Sequence, residues 1–268
     1  MNINVNGNGK IALSSRSQQM TSFLIAVGAI GLFVISLTMI NLDLVAFVGR
    51  LYRIPHILSL FMALEFSIFG EAIGELVVSI AMALAALLLG GVISLFLSFL
   101  AADNTAPSKT VAAAIKGLVS TIRAIPNIVL ILMIMAALGL GPVAAVTSLT
   151  LSSIGYFTKA FASTIEEQDT ALIESMRATG ASWFQILVHG FFPNVMPSFL
   201  AWISIRLEMS ISESISLGVI GAGGIGTMLS RAIRTHRHAE VSMLILIIFV
   251  TMLTIEILLN IVKKKANT

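Results

Sequence analysis

From Leu76 through Ala102 no residue carries a charge. That run limits the chain more than any other feature. About 20 apolar residues at 1.5 Å rise cross the ~30 Å hydrocarbon core of a bilayer. A helix also satisfies its backbone polar groups internally, as lipid requires. A transmembrane helix is therefore predicted at about Leu76–Leu100, and comparable runs predict others at about Thr21–Leu42, Val111–Leu138, Val143–Thr164, Pro193–Leu217 and Val241–Val262. The chain is 57% hydrophobic and only 11% charged, with mean hydropathy +1.00, whereas soluble domains are about a quarter charged. The expected class is an all-α integral membrane protein with six transmembrane helices. A polar tail is expected over residues 1–20, a membrane domain over 21–262 and a basic tail over 263–268.

Several local signals shape these spans. Lys10 and Arg16 precede the first, but it is too long for a signal peptide and lacks a small-x-small cleavage site, so it is read as retained. Arg50, Arg53, Pro55, His56, Glu65 and Glu71 interrupt residues 43–72, leaving Ile57–Phe69 as an expected interfacial helix. Ala81, Ala83, Ala85, Ala86, Gly90 and Gly91 permit close helix approach. Pro126 predicts a kink or break inside the third span, and Gly139-Leu140-Gly141-Pro142 a tight turn before the fourth. Six spans put both termini on one side. With tails inside, ten basic residues lie inside (Lys10, Arg16, Lys109, Lys116, Arg123, Lys159, Arg177, Lys263, Lys264, Lys265) and five outside (Arg50, Arg53, Arg231, Arg234, Arg237). The positive-inside rule then favours cytoplasmic termini in a multi-pass cell-membrane protein.

Some chemistries are excluded. Without cysteine there is no disulfide, thiolate metal site or lipidated Cys. Net charge +3 without a basic, aromatic-laced patch is no nucleic-acid footprint. Asn4–Lys10 ends in Gly-Lys but lacks the first glycine and the Ser or Thr of a Walker A loop. Gly221-Ala222-Gly223-Gly224-Ile225-Gly226 matches G-x-G-x-x-G, but no βαβ unit surrounds it. It is read as a turn or gate between a span and a re-entrant segment. The four histidines show no catalytic or metal constellation, and His236-x-His238 reads as a solvated pair.

Between the fourth and fifth spans, Asp169–Pro197 reads as two short water-facing helices. Asp169 is a candidate N-cap, Gly180 a C-terminal stop, and Ser182-x-x-Gln185 a capping box. Leu172, Ile173, Met176, Trp183 and Phe184 are expected to present an apolar knob beside Glu174 and Arg177, suited to a partner's groove.

Glu174, Gly180 and Phe192-Pro193 are spaced as in the pattern E-A-A, three residues, G, nine residues, I-x-L-P. Ser175 and Met176 replace the alanines, Gly190 the Ile and Phe192 the Leu. Residues 70–262, with this spacing and GAGGIG downstream, resemble the permease subunits of ABC importers, and most of all the phosphonate-type permeases. The resemblance implies a type I importer permease fold working as a pair, with a second, identical copy expected. It makes 169–192 a cytoplasmic coupling loop that docks on a dimer of separate ATP-binding cassette subunits. ATP and Mg²⁺ would sit on those subunits, with no cofactor on this chain and no enzyme activity of its own. An extracytoplasmic solute-binding protein would deliver cargo, phosphonates or related phosphorus oxyanions first, small molecules of the methionine type second.

Arg206, Glu208 and Glu213 lie within the fifth span, where ionisable groups are costly and usually face a bundle interior or water path. Arg206 and Glu208 point to different faces, and Arg206 and Glu213 are expected to be too far apart to touch. Either a polar pathway or structural pairing explains them. Phosphonate-type permeases carry Arg and Glu at positions 206 and 208 but place an Arg where this chain has Ser212. With Ser212, Gly221, Gly223, Gly224 and Gly226, these residues form the expected pathway and gate. Arg231, Arg234 and Arg237 recur every third residue, suiting an anionic solute, an acidic binding-protein rim or lipid headgroups. The rival reading is an autonomous secondary transporter or channel coupled to ions through Arg206 and Glu208.

Overall fold

The computed structural model describes residues 16–40, 43–168 and 170–266, and among them every regular element is helical. Two compact units divide the chain, residues 1–59 and 60–268. The first holds α1 (Arg16–Met39), α2 (Leu44–Leu51) and α3 (Ile54–Leu60), whose last residue falls on the boundary. Helix α1 starts within the expected tail, and residues 1–15 of that tail lie outside the described residues. Asp43 opens α2, its carboxylate accepting from the Ala46 amide at 2.9 Å.

The expected interfacial helix over 57–69 does not form. Helix α3 stops at Leu60, and Glu65 starts a new turn by accepting from the Ser67 amide at 3.3 Å. That 3₁₀ turn, Phe66–Ile68, runs directly into α4 (Phe69–Ala101). Helix α4 has 33 residues, about 50 Å at 1.5 Å per residue, so it exceeds the hydrocarbon thickness.

Next come α5 (Lys109–Ala124), α6 (Asn127–Leu138) and α7 (Pro142–Glu166). The predicted kink at Pro126 is a full break. Helices α5 and α6 meet at 89°, because proline lacks an amide to donate and disfavours helical backbone in Ile125 before it. The third span is thus a broken pair and not one helix.

Helix α7 packs along α4. Ser79, Ala83, Ala86, Gly90 and Ser94 form a buried stripe on α4 at helical spacing. A Cβ on Gly90 would stand 2.6 Å from the Ser153 Cβ, and the Ser94 hydroxyl donates to the Ile154 carbonyl at 3.2 Å. The small stripe is what permits this approach.

Among the described residues, four helical stretches are long and apolar enough to cross a membrane: Ser17–Met39, Phe66–Ala101, Trp183–Ile220 and His238–Ile261. The broken pair qualifies as a fifth. Helix α7 is long enough, with 25 residues, but not apolar enough. Its hydroxyls explain this: Ser148, Ser153 and Thr158 are buried among other helices, and Ser148 donates back to the Ala144 carbonyl at 2.6 Å. A helix shielded by its neighbours need not be greasy all round.

Beyond α7 lie α8 (Thr170–Ala178) and α9 (Trp183–Gln185), then a π turn over Ile186–Phe191 that leads into α10 (Phe192–Ile220). The second short helix expected in the loop is therefore continuous with the fifth span. Proline chemistry accounts for the π turn. Pro193 has no amide to give, the Phe192 amide reaches Leu187 five residues back, and the Asn194 side chain donates to the Gly190 carbonyl at 2.9 Å. Helices α11 (Ile225–Arg234) and α12 (His238–Ala266) complete the chain. Helix α12 continues through Lys263–Lys265, so that basic stretch is helical, and residues 267 and 268 lie outside the described residues.

Candidate functional site

Local sequence builds the loop at one end of the bundle. Helix α8 stops at Gly180, whose φ is +83°. The Gly180 amide donates to the Arg177 carbonyl at 2.9 Å and the Ala181 amide to the Met176 carbonyl at 3.1 Å, the paired bonds of a Schellman termination. A Cβ on Gly180 would meet nothing within 4 Å. Backbone conformation, not space, demands glycine here. The Ser182 hydroxyl accepts from the Gln185 amide at 3.4 Å and the Gln185 side chain accepts from the Ser182 amide at 2.8 Å, the predicted capping box.

The expected apolar knob forms only in part. Glu174 and Arg177 are exposed, and Phe184 is 68% exposed. Met176 instead turns inward onto the buried cluster that contains Phe161, Ile186 and Phe191, because Gly190 leaves it room. Trp183 stays exposed on the knob but is anchored, the indole N–H donating to the Thr105 carbonyl at 2.7 Å. Asp169 and the side chains of Leu172 and Ile173 lie outside the described residues.

Midway along α10, Arg206 is 1% exposed. Its guanidinium holds Glu213 in a two-pronged pair, with N–O distances of 3.2 and 2.9 Å. The expectation that these two residues cannot touch is thus overturned. Seven residues are nearly two turns, returning to the same face about 10.5 Å along the axis. Helical side chains tilt toward the N-terminus, so Glu213 leans toward the extended arginine. Arg206 also donates to Ser153 at 3.1 Å and Ser152 at 3.2 Å, and its Cζ lies 5.7 Å from the centre of the Tyr156 ring. Glu213 accepts from the Asn127 side chain at 3.2 Å, and Asn127 from the Ser152 hydroxyl at 3.3 Å. Asn127 is the first residue after the Pro126 break, so the break brings a polar side chain to this network. Ser212 is exposed beside it. Glu208 is half-buried and, among the described residues, takes no part in the network.

At the far end of α10, Gly221 caps the helix at φ +110°, and the Ala222 amide donates to the Leu217 carbonyl at 3.1 Å. Gly223 and Gly224 also have positive φ, and a Cβ on Gly226 would strike the Ile215 carbonyl. The turn is sewn to α4: the Ile225 amide donates to the buried Ser79 hydroxyl at 3.1 Å, and the Ser214 hydroxyl to the Ser79 carbonyl at 2.9 Å. The glycines therefore allow dense packing of a turn, as expected. The three arginines do not share one face. Arg231 and Arg234 line a recess of about 470 Å³ with Gly218–Gly221. Arg237 lies past the end of α11 and pairs with Glu240 at 2.8 Å.

Asn127, Ser152, Ser153 and Tyr156 escaped the sequence reading. The adjacent hydroxyls within the fourth span and the Asn just after Pro126 were the available signals.

Residues 94–267 match the family described as "Binding-protein-dependent transport system inner membrane component". The phosphite transport system permease protein PtxC of Stutzerimonas stutzeri is 33% identical over 200 residues, 75% of this chain and 73% of that protein. The phosphate-import permease protein PhnE of Mycolicibacterium smegmatis is 35% identical over 187 residues, 69% of this chain but only 35% of that longer protein. In structure the chain is similar to the inward-facing MetNI methionine ABC transporter, with TM-score 0.66 and 21% identity over 76% of this chain and 99% of that one. PtxC and PhnE are named as permease proteins and the matched family as a transport-system membrane component, so the rival reading of an autonomous secondary transporter finds no support. The helical fold, the matched family model and these relatives together make the chain a member of the binding-protein-dependent inner membrane components, the permease subunits of ABC importers.

Proposed function

We propose that this permease imports a small phosphorus oxyanion, phosphite or a phosphonate, as one of two identical copies around a shared path. Both termini and the Thr170–Gln185 loop face the cytoplasm, where the loop docks on an ATPase dimer, and a solute-binding protein delivers cargo at the opposite end. The loop carries this reading. It is an exposed helix ended by a glycine that backbone conformation demands, followed by a complete capping box. Its glutamate, glycine and proline keep the importer spacing.

The path runs past Asn127, Glu213 and Ser212. Asn127 and Ser212 are exposed on this unit, and Glu213 is 23% exposed over its side chain. Helix α7, with the five apolar stretches, supplies the sixth crossing segment. When the ATPases close on ATP, the paired loops approach each other, and α7 and α10 swing the path between its openings. Similarity to phosphite and phosphate-import permeases supports an oxyanion. Arg206 is already neutralised by Glu213, so the path offers oxyanions hydroxyls and amides more than free cations.

The test is ATP hydrolysis by the reconstituted complex, with its solute-binding protein, across phosphite, methylphosphonate, phosphate and methionine. Stimulation by phosphite or methylphosphonate above the other two is expected. Stimulation by methionine alone would overturn the oxyanion assignment.

A further inference from the structure

The coupling loop is gripped at both of its ends by a single turn. That turn joins α4 to α5 and is itself closely bonded. The Thr105 and Ala106 amides donate to the Ala102 carbonyl at 3.1 and 2.8 Å, and the Thr105 hydroxyl to the Phe99 carbonyl at 2.8 Å. Ala102 and Thr105 are buried. Where α7 hands over to the loop, the Asp103 amide donates to the Glu166 carboxylate at 2.9 Å, and the Asn104 side chain to the Ile165 carbonyl at 2.7 Å. Lys116, about two turns into α5 from its start, bridges Asp103 and Glu166 at 2.8 Å each. Where the loop rejoins the bundle, the Trp183 indole donates to the Thr105 carbonyl. Helix α8 therefore hangs from a base closed on residues 103–105.

Two features suit this turn to more than holding the fold. Its contacts lie at the loop's base, while α8 is otherwise exposed along its described side chains apart from Met176, so a displacement of α8 bears on α4, α5, α7 and α10 together. And α5 leads from the turn to the 89° break, where Asn127 touches Glu213 of the mid-bundle network. A continuous bonded route thus runs from Trp183 through Thr105 and α5 to Asn127 and Arg206. Rigid elements joined by short bonds are what can carry such coupling.

We infer that Asp103, Asn104 and Lys116 are positioning residues of the transport cycle: they pass movement of the docked loop to the broken α5–α6 helix and so to the path. The inference rests on the coupling-loop reading above. Surface ion pairs contribute little to stability, so a transmission role separates from a structural one by its readout.

The experiment uses the whole importer in proteoliposomes, measuring transport and ATP hydrolysis on the same samples, with thermal unfolding as the control for folding. The variants are Asn104→Leu, Lys116→Met and Lys116→Arg. The expected result is that Lys116→Met and Asn104→Leu still co-purify with the ATPase and hydrolyse ATP, while solute moved per ATP falls about fivefold or more, the scale of a typical coupling energy. Lys116→Arg, which can still bridge two carboxylates, restores the ratio. If transport and hydrolysis fall together in step with the unfolding temperature, or if Lys116→Met and Lys116→Arg behave alike, the residues only hold the fold and the inference is overturned. If wild-type chain brings down no ATPase, the coupling-loop reading itself fails and takes this inference with it.

Discussion

The Met176 thioether fills the place a Cβ on Gly190 would need: that Cβ would lie 2.6 Å from the Met176 sulfur. Both positions depart from the importer pattern, which has alanine at the first and isoleucine at the second. The two departures compensate, a large side chain on α8 meeting none on the π turn, so the loop keeps its seat on the bundle. Coupled large-and-small exchanges of this kind preserve volume and are the best-tolerated changes in a packed interior.

The pairing makes Gly190→Ala context-dependent. Alone it crowds Met176 and is expected to destabilise by about 1 kcal/mol. In a Met176→Ala background the space is free, and alanine's helix preference, worth up to about 1 kcal/mol over glycine, should make the same change neutral or stabilising. Thermal unfolding in detergent of both singles and the double checks this. Equal cost in both backgrounds would show that the two side chains do not compete for one space.

Glu213→Ala leaves the Arg206 guanidinium buried without its carboxylate. A buried pair broken on one side costs about 3–5 kcal/mol, so loss of folded protein or a large drop in unfolding temperature is expected. Replacing both, as Arg206→Met with Glu213→Leu, should recover most of that stability, since apolar pairs of similar volume often substitute for buried ion pairs. The double variant still loses polar groups beside the path. Near-normal unfolding with impaired transport is the expected combination, measured by calorimetry and uptake.

Gly180→Ala should cost about 1–2 kcal/mol locally, the penalty of left-handed backbone for a residue with a Cβ. Because no atom stands within 4 Å of that Cβ, the bundle should remain folded and the effect should fall on ATPase capture. Gly180→Trp adds a projecting indole and should abolish capture in a pull-down, while Gly180→Asn should be the mildest of the three. Wild-type capture by Gly180→Trp would place the docking surface elsewhere.

Ser79→Ala removes the acceptor for the buried Ile225 amide and leaves it without that partner. A cost of about 1–3 kcal/mol is expected, with the Gly-rich turn loosened before the bundle. Hydrogen exchange should therefore rise first at residues 221–227. Uniform loss of protection across α4 and α10 would show instead that Ser79 matters to global packing alone.

Features that depend on a few neighbouring residues were legible in the sequence. The Pro126 break, the Gly180 stop and the Ser182–Gln185 box each follow from backbone chemistry within one turn. The apolar runs located the long helices, but α4 begins before its charge-free stretch because Glu71 and Glu75 are carried on the same helix. Tertiary features were hidden. The Arg206–Glu213 pair needs side-chain reach across two turns, which a rule based on adjacent turns overlooks. The grip of residues 103–105 on Glu166 and Trp183 joins positions far apart in sequence, and nothing local announces it. Helix position alone puts Met176 on an outward knob; its inward turn depends on the missing side chain at Gly190.

The most direct test of the central claim uses the absence of cysteine from the chain. A single Glu174→Cys thiol on the exposed face of α8 can be joined to neighbouring lysines by a short thiol-to-amine cross-linker in membranes that contain the whole importer. Cross-linking to the ATPase subunit is expected from Glu174→Cys and not from Arg231→Cys at the opposite end of the bundle. An ATPase that co-purifies but cross-links only from Arg231→Cys would contradict the assignment of this loop as the docking element.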